Sequence, residues 1–332
     1  MMRDRLGHAA YDGGTRRERA VWACRHAVAG VLHLTTPGAP GGLKDLYPCG
    51  VIDLHTHSTA SDGTDSPARL VEVAARAGIA TLAITDHDTT SGWAEAADAA
   101  GRFGVGLVRG AEISAIARTT GWGTGVHLLA YLHDPAHPDL LAETERTRAD
   151  RESRARRMVD LLAEDFPITW DDLLAQTKPG TTLGRPHLAD ALVAAGVVRD
   201  RDEAFATILR PGTKYYVGHY APDAVAAVRA VRAAGGVPVF AHPGADARGR
   251  IVPDSTIEEL AAAGLAGLEV DHRDHTPDTR RRLREVAESL GLLVTGSSDF
   301  HGAGKQNRIG ENTTDPGVLE AIAAQGALEV LR

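Results

Sequence analysis

The sequence predicts a parallel α/β barrel with a helical segment inserted into it, and three observations carry that reading. Seven short apolar runs alternate with helix-patterned stretches from Val51 onward. The alternation breaks between about residues 133 and 236, where helical patterns follow one another without a good strand. Histidines and carboxylates recur where the apolar runs give way to loops, the face on which parallel barrels gather their chemistry.

Length and composition bound the alternatives. A chain of 332 residues is ample for one large barrel or two ordinary domains, and 43% hydrophobic with 24% charged residues is the composition of a globular protein. No apolar run approaches the roughly 18 to 20 residues of a membrane span, and a cytoplasmic location is expected. The formal charge of −8 argues against broad electrostatic binding of long DNA, whereas a small phosphorylated substrate needs only a local positive pocket. Both cysteines, Cys24 and Cys49, precede the first strand, so neither a disulfide framework nor a thiolate metal site is expected in the body of the chain. Fifteen histidines favour nitrogen and oxygen ligands instead.

Residues 1–49 carry seven Lys/Arg against four Asp/Glu and end in a Pro/Gly linker. They are expected to be an N-terminal extension, disordered or a misassigned start, with one helix over Ala20 to Leu34. Val51, Ile52 and Leu54 open the first strand. Ser66-Pro67 is an N-cap followed by proline at the first helical position, so a helix runs from Pro67 to Ala77 and Gly78 closes it. Strands follow over Ile79 to Thr85, Val105 to Val108 and Val126 to Leu132, with a helix over Ser91 to Ala100. Helical stretches then cover Pro138 to Glu164, Asp171 to Gln176, Arg185 to Ala195 and Asp202 to Leu209, and the charged run Glu143 to Arg157 reads as a solvated face. The alternation resumes with helix Pro222 to Ala234, strand Val237 to Ala241, helix Ser255 to Ala263, strand Gly267 to Val270, helix Pro277 to Leu290 and strand Leu292 to Gly296. The barrel is therefore expected over residues 50–145 plus 222–332, with an inserted helical cap subdomain over 146–221.

Side chains alternate faces along a strand, so His55 and His57 point the same way and can share one metal ion, with Asp62 on the following loop. Asp86, His87 and Asp88 end the second strand, and Glu112 follows the third. His127 lies on the fourth, His242 ends the fifth, and Asp299 and His301 end the last. Such placement is hard to reconcile with satisfied core polar groups. Neutral imidazoles and carboxylates without thiolates suit Mn, Fe or Zn.

The motifs His-Thr-His-Ser-Thr-Ala-Ser-Asp-Gly (55–63), Thr-Asp-His-Asp (85–88), Glu-Ile-Ser (112–114), Ala-His-Pro (241–243) and Gly-Ser-Ser-Asp-Phe-His-Gly (296–302) resemble the ordered motifs of the PHP (polymerase and histidinol phosphatase) phosphoesterase family. The resemblance is to its branch of nucleoside 3′,5′-bisphosphate phosphatases and short-RNA 5′-to-3′ exonucleases, and it covers about residues 51 to 310. It implies a distorted seven-stranded barrel, (β/α)7 in form, holding three divalent ions, Mn foremost. One would bind His55, His57, Glu112 and Asp299, a second would share Glu112 and add His127 and His242, and a third would take Asp62, His87 and His301. Glu112, Asp299 and His301 are the catalytic candidates. Ions sharing Glu112 would supply a hydroxide nucleophilic near neutral pH.

Arg185 and His187, in the stretch Leu-Gly-Arg-Pro-His of the insertion, and Lys305, after the last motif, are the candidates for binding substrate phosphate. Lys214, Tyr215 and Tyr216 read either as a cover for a base or as packing. Asp53, Asp86 and Asp88 read either as carboxylates that orient histidines or as loop caps. His133, His137, His219, His272 and His275 lack a site-like context and are expected at the surface. The connection Arg118 to Gly125 is longer than the resemblance implies, and Asp271-His272-Arg273 stands where an aromatic-containing loop is more usual. The function expected is hydrolysis of the 3′-phosphate of a nucleoside 3′,5′-bisphosphate. The alternatives are 5′-to-3′ exonuclease action on short RNA, histidinol phosphate hydrolysis, and a barrel that binds nucleotides without turnover.

Overall fold

The computed structural model describes residues 50–118, 123–246 and 249–332. The N-terminal extension, its expected helix and both cysteines lie outside the described residues. Seven strands form one sheet in sequence order: β1 (Val51–Asp53), β2 (Ile79–Ile84), β3 (Gly106–Ala117), β4 (Thr124–Tyr131), β5 (Val237–Phe240), β6 (Gly267–Asp271) and β7 (Leu293–Gly296). The fold is α/β and the sheet mostly parallel, with helices linking the parallel pairs on either side of β4. Beyond the strand ends, Thr56 bridges to Phe300, and the His57 N–H donates to the Phe300 carbonyl at 2.9 Å. The exits of β1 and β7 therefore lie side by side.

An all-parallel sheet was expected, and the structure corrects it: β4 runs antiparallel to both β3 and β5. A parallel neighbour would require a crossover of a dozen or more residues, whereas β3 and β4 are joined by residues 118–123 alone. The third strand is also longer than expected. It continues through Ala117 because Ala111 to Ala117 keep a partner in β4 after β2 has ended, so Glu112 lies within a strand instead of after one.

The helices start where their caps dictate. Ser66 Oγ accepts the Arg69 N–H to open α1 (Pro67–Arg76), with proline at its first position. α2 (Trp93–Phe103) buries Trp93, whose indole N–H donates to the Gly110 carbonyl at 2.8 Å. Between β4 and β5 lie α3 (Pro138–Ala163), α4 (Trp170–Leu174), α5 (Arg185–Ala194), α6 (Arg201–Thr207) and α7 (Ala224–Ala233). Met158, Leu162, Leu173, Leu188 and Leu192 give α3 to α5 an apolar core of their own. α3 runs unbroken through residue 146, and its charged stretch is not simply solvated: Thr147, Arg151, Arg154, Ala155 and Met158 are buried along one face. α8 (Asp254–Ala262) and α9 (Pro277–Leu290) complete the alternation. A last helix, α10 (Pro316–Ala323), was not expected; Asp315 caps it, and Leu319 and Ile322 pack into the cluster holding Ile52, Leu54 and Leu129.

Candidate metal centre

The structure brings all nine expected ligands into one cluster, most of them buried and His127 with about a third of its side chain exposed. His55 and His57 leave β1 on the same face, and their Nε2 atoms approach to 3.0 Å. Glu112 sits at the centre. Its Oε2 lies 3.3 Å from His55 Nε2, 3.1 Å from His57 Nε2 and 3.2 Å from His87 Nδ1, while its Oε1 lies 2.8 Å from His127 Nδ1 and 3.1 Å from His242 Nε2. Asp299 Oδ1 is 3.5 Å from His55 Nε2, 3.3 Å from His57 Nε2 and 3.4 Å from His301 Nδ1. Asp62 faces His57 Nδ1, His87 Nε2 and His301 Nε2 at 3.6, 3.8 and 3.3 Å.

The reversal of β4 is what delivers His127. Ser114 on β3 pairs with His127 near the start of β4, so an early residue of β4 lies beside the late residues of β3. In a parallel strand the same position would have pointed to the opposite end of the sheet. Three non-glycine residues at the site, Asp88, His242 and Asp299, have φ of 52°, 34° and 53°. That left-handed backbone is costly for such residues and persists where the surroundings impose it.

The donor set fits divalent cations. Four overlapping groups place at least three ligand atoms within 4.8 Å of one another: His55, Glu112 and His242; His55, His57 and Asp299; His57, Asp62 and His87; and His87, Glu112 and His127. His87 Nδ1, His127 Nδ1 and His301 Nε2 are buried, lie within 3.3 Å of a carboxylate oxygen, and make no hydrogen bond. Nitrogen and oxygen lone pairs converging on a shared point are the arrangement a cation satisfies. The electrostatics agree. Burial would lower His57, yet hydrogen bonds to Asp299 and Glu112 lift it to about 9. Burial would raise Glu112, yet His87, His127 and His55 hold it well below the usual carboxylate range. The centre favours positive charge.

A second layer of groups fixes the first. Glu269 on β6 is fully buried and accepts the His55 Nδ1–H at 3.0 Å, the Ser297 hydroxyl, and the His242 backbone N–H at 2.7 Å. This leaves His55 Nε2 as the lone-pair face toward Glu112. Sequence reasoning missed Glu269, although a carboxylate in the apolar run Leu-Glu-Val of a buried strand was a legible signal. None of Asp53, Asp86 and Asp88 is hydrogen-bonded to a histidine ring; all three clamp loops. Asp53 accepts the N–H groups of Ser298 and Gly310, and Asp86 accepts the Ser58 N–H and the Ser58 and Ser61 hydroxyls. Asp88 accepts the Ser114 N–H and hydroxyl and the Arg151 guanidinium.

Of the expected substrate residues, Lys305 reaches the cluster: its Nζ lies 3.1 Å from Asp299 Oδ2, and its side chain is a third exposed. Arg185 opens α5 and donates to the Leu209 carbonyl at 3.2 Å. His187 has both ring nitrogens engaged, Nδ1 accepting the Gly184 N–H and Nε2–H donating to the Ser61 carbonyl, so it braces the loop that carries Asp62. Tyr215 packs on Phe166 and donates to Asp165, which makes it a packing residue of the helical segment. Three histidines expected at the surface are buried instead. His133 Nδ1–H donates to the Ala130 carbonyl, and its ring meets Trp93 edge-on. His275 joins the β6 and β5 loops by accepting the Gly244 N–H. His272 accepts the Asp274 N–H on Nδ1 and presents Nε2 to Asp299 at 3.7 Å. The loop after β6 folds back over the centre, which no local pattern announced.

A mostly parallel α/β sheet whose strand exits carry a histidine–carboxylate cluster defines a metal-binding hydrolase fold. The PHP domain model matches residues 53–166. A 3′,5′-nucleoside bisphosphate phosphatase of Chromobacterium violaceum is 36% identical over 284 residues, spanning 85% of this chain and 98% of that protein. A 5′-3′ exoribonuclease of Haemophilus influenzae is 36% identical over 252 residues, 75% of this chain and 89% of that one. Among solved structures, a Bifidobacterium adolescentis protein assigned as a metal-dependent phosphoesterase superposes with a TM-score of 0.80 at 46% identity, covering 83% of this chain and 96% of that one. The chain belongs to the PHP family of phosphoesterases and is a hydrolase of phosphoesters. Among the described residues no helix is long and apolar enough to cross a membrane.

Proposed function

We propose that the chain removes the 3′-phosphate from nucleoside 3′,5′-bisphosphates with the help of three divalent ions, manganese foremost and iron or zinc as substitutes. The observation that carries the reading is the convergence of six imidazoles on the three carboxylates Glu112, Asp299 and Asp62, with three buried imidazole nitrogens left without hydrogen bonds. The choice of substrate is supported by the C. violaceum relative. His55, His57, Glu112 and Asp299 would hold one ion; Glu112, His127 and His242 a second; Asp62, His87 and His301 a third. Such ions activate water and neutralise phosphoryl oxygens. Glu112, Asp299 and His301 are the groups nearest the reacting phosphate. Lys305 and Arg185 would contact substrate oxygens, and His187 would hold Asp62 in place.

The Thr56–Phe300 bridge supports a distorted (β/α)7 barrel closed between its first and last strands. Residues 146–221 would act as a cap over its mouth. A second reading, exonuclease action on short RNA, keeps the same chemistry and is favoured by the H. influenzae relative.

The test is manganese-stimulated phosphate release from adenosine 3′,5′-bisphosphate, run beside a 5′-phosphorylated RNA trinucleotide, with Asp299→Ala as control. Fast release from the bisphosphate, abolished in the variant, is the expected result. Release of nucleotides from RNA alone would move the function to the exonuclease, and turnover of neither would refute both.

A further inference from the structure

The helical segment grips the loop that carries Asp62 along its backbone. Four consecutive carbonyls of that loop each accept a donor from it. Thr59 accepts the Thr181 hydroxyl at 2.8 Å, Ala60 the Thr182 N–H at 2.9 Å, and Ser61 the His187 Nε2–H at 2.9 Å. The Asp62 carbonyl accepts Arg201 Nη1 at 3.5 Å. Glu112 is fixed by strand pairing on both sides of its position, whereas Asp62 reaches the metal centre from a loop. A ligand on a loop is placed only as well as its supports place the loop.

Arg201, the first residue of α6, differs from the other three donors. The same Nη1 also lies 3.4 Å from the Gly304 carbonyl. One guanidinium thus spans the loops that carry Asp62 and His301, whose side chains stand 3.3 Å apart in the metal centre. The fork is pinned from behind: Asp190 on α5 accepts Nε and Nη2 on its two carboxylate oxygens, each at 2.6 Å. Only 14% of the Arg201 side chain is exposed.

Gly304 is matched to that contact. A Cβ there would overlap Arg201 Nη1 and lie 3.0 Å from its Cζ. Its own backbone does not call for glycine, since Gly304 lies outside the left-handed region. The two loops also meet directly, where the Thr64 N–H and hydroxyl donate to the His301 carbonyl. Arg201 is what ties that junction to the helical segment.

We propose that Arg201, pinned by Asp190, is a positioning residue that sets the separation of Asp62 and His301, so that one ion binds only as tightly as the helical segment is docked. That ion is the third of the reading proposed above, on which this inference rests. Position and charge act with opposite signs here. A guanidinium beside Asp62 repels a cation, so by charge alone its removal would tighten metal binding. By position, its removal loosens the ion.

The experiment titrates manganese into chelator-treated wild type, Arg201→Gln, Arg201→Lys, Gly304→Ala and Asp62→Asn, with the free ion read by its paramagnetic resonance. Arg201→Gln should weaken one equivalent about tenfold, the same one that Asp62→Asn abolishes, and leave the others unchanged. Arg201→Lys restores the charge without the fork and should stay weak. Gly304→Ala keeps the arginine yet should match Arg201→Gln, and the two changes combined should cost no more than either. Tighter manganese binding in Arg201→Gln would overturn the proposal. So would a loss spread evenly over all equivalents, or a lower metal-free Tm with manganese affinity unchanged. If the variants lose the one equivalent but wild type releases no phosphate from adenosine 3′,5′-bisphosphate, the positioning role stands and the proposed reaction fails. If wild type turns over the bisphosphate and the variants bind manganese as it does, the reaction stands and the positioning role fails.

Discussion

His55 Nδ1 lies 3.0 Å from Glu269 Oε1, so an imidazole on the first strand's exit is oriented by a carboxylate 214 residues later in the chain. The same carboxylate receives the His242 backbone N–H, and in this way one β6 side chain sets the position of two ligand-bearing loops.

Glu269→Gln should therefore weaken the centre without removing a ligand. A glutamine keeps the size but offers His55 a neutral oxygen, or an N–H in place of an acceptor. Metal affinity is expected to fall by about 10- to 100-fold, read by dialysis against metal buffers and elemental analysis. Retention of wild-type affinity would show that His55 is held by its backbone alone.

Chelation should abolish phosphate release and lower Tm, because a cation bound only by the folded state adds stability. At free manganese near 100 times its dissociation constant the gain is about 2.7 kcal/mol. Glu112→Gln, which removes the carboxylate shared by five histidines, should erase that manganese-dependent increment in a thermal melt.

The pair Asp88–Arg151 fastens α3 to the strand exits, with both side chains buried. Replacing Arg151 with alanine leaves Asp88 charged and short of a partner, and about 3 to 5 kcal/mol of unfolding free energy should be lost in urea titrations. Asp88→Asn should cost less, since an amide oxygen can still accept from Ser114 and asparagine tolerates the left-handed backbone.

His133 supplies a pH dependence remote from the cluster. Burial pushes it from 6.5 down to about 4, so between those values the unfolded chain binds the proton and the folded chain does not. Stability from this group is complete above 6.5 and is lost as pH falls toward 4, by about 3 kcal/mol. His133→Gln should flatten unfolding free energy across that window; an unchanged slope would assign the acid lability elsewhere.

The ligand types and their places at strand exits were readable because strand alternation and apolar-to-polar transitions are local properties of the sequence. His55 and His57 share a face for the simple reason that they are two residues apart on an extended backbone. Glu112, His242 and Asp299 could likewise be singled out where apolar runs end. Glu269 was legible as a carboxylate in an apolar run but not as the partner of His55, and His272 and the paired state of His187 could not be placed in this way. Their partners come from distant segments, and a carboxylate or imidazole inside a strand or loop carries no local mark of what it will meet.

What the sequence determined by itself is the alternation of strands and helices, the family and the identity of the clustered histidines and carboxylates, because periodicity, caps and motif spacing are set by neighbouring residues. Tertiary structure alone decided the direction of β4, and with it the arrival of His127 beside Glu112. It also decided which side chains orient the ligands, and that Arg154 is buried with no counter-ion among the described residues. Strand direction follows from what a connection can physically span, and burial from how separate elements pack. Both are properties of the folded whole.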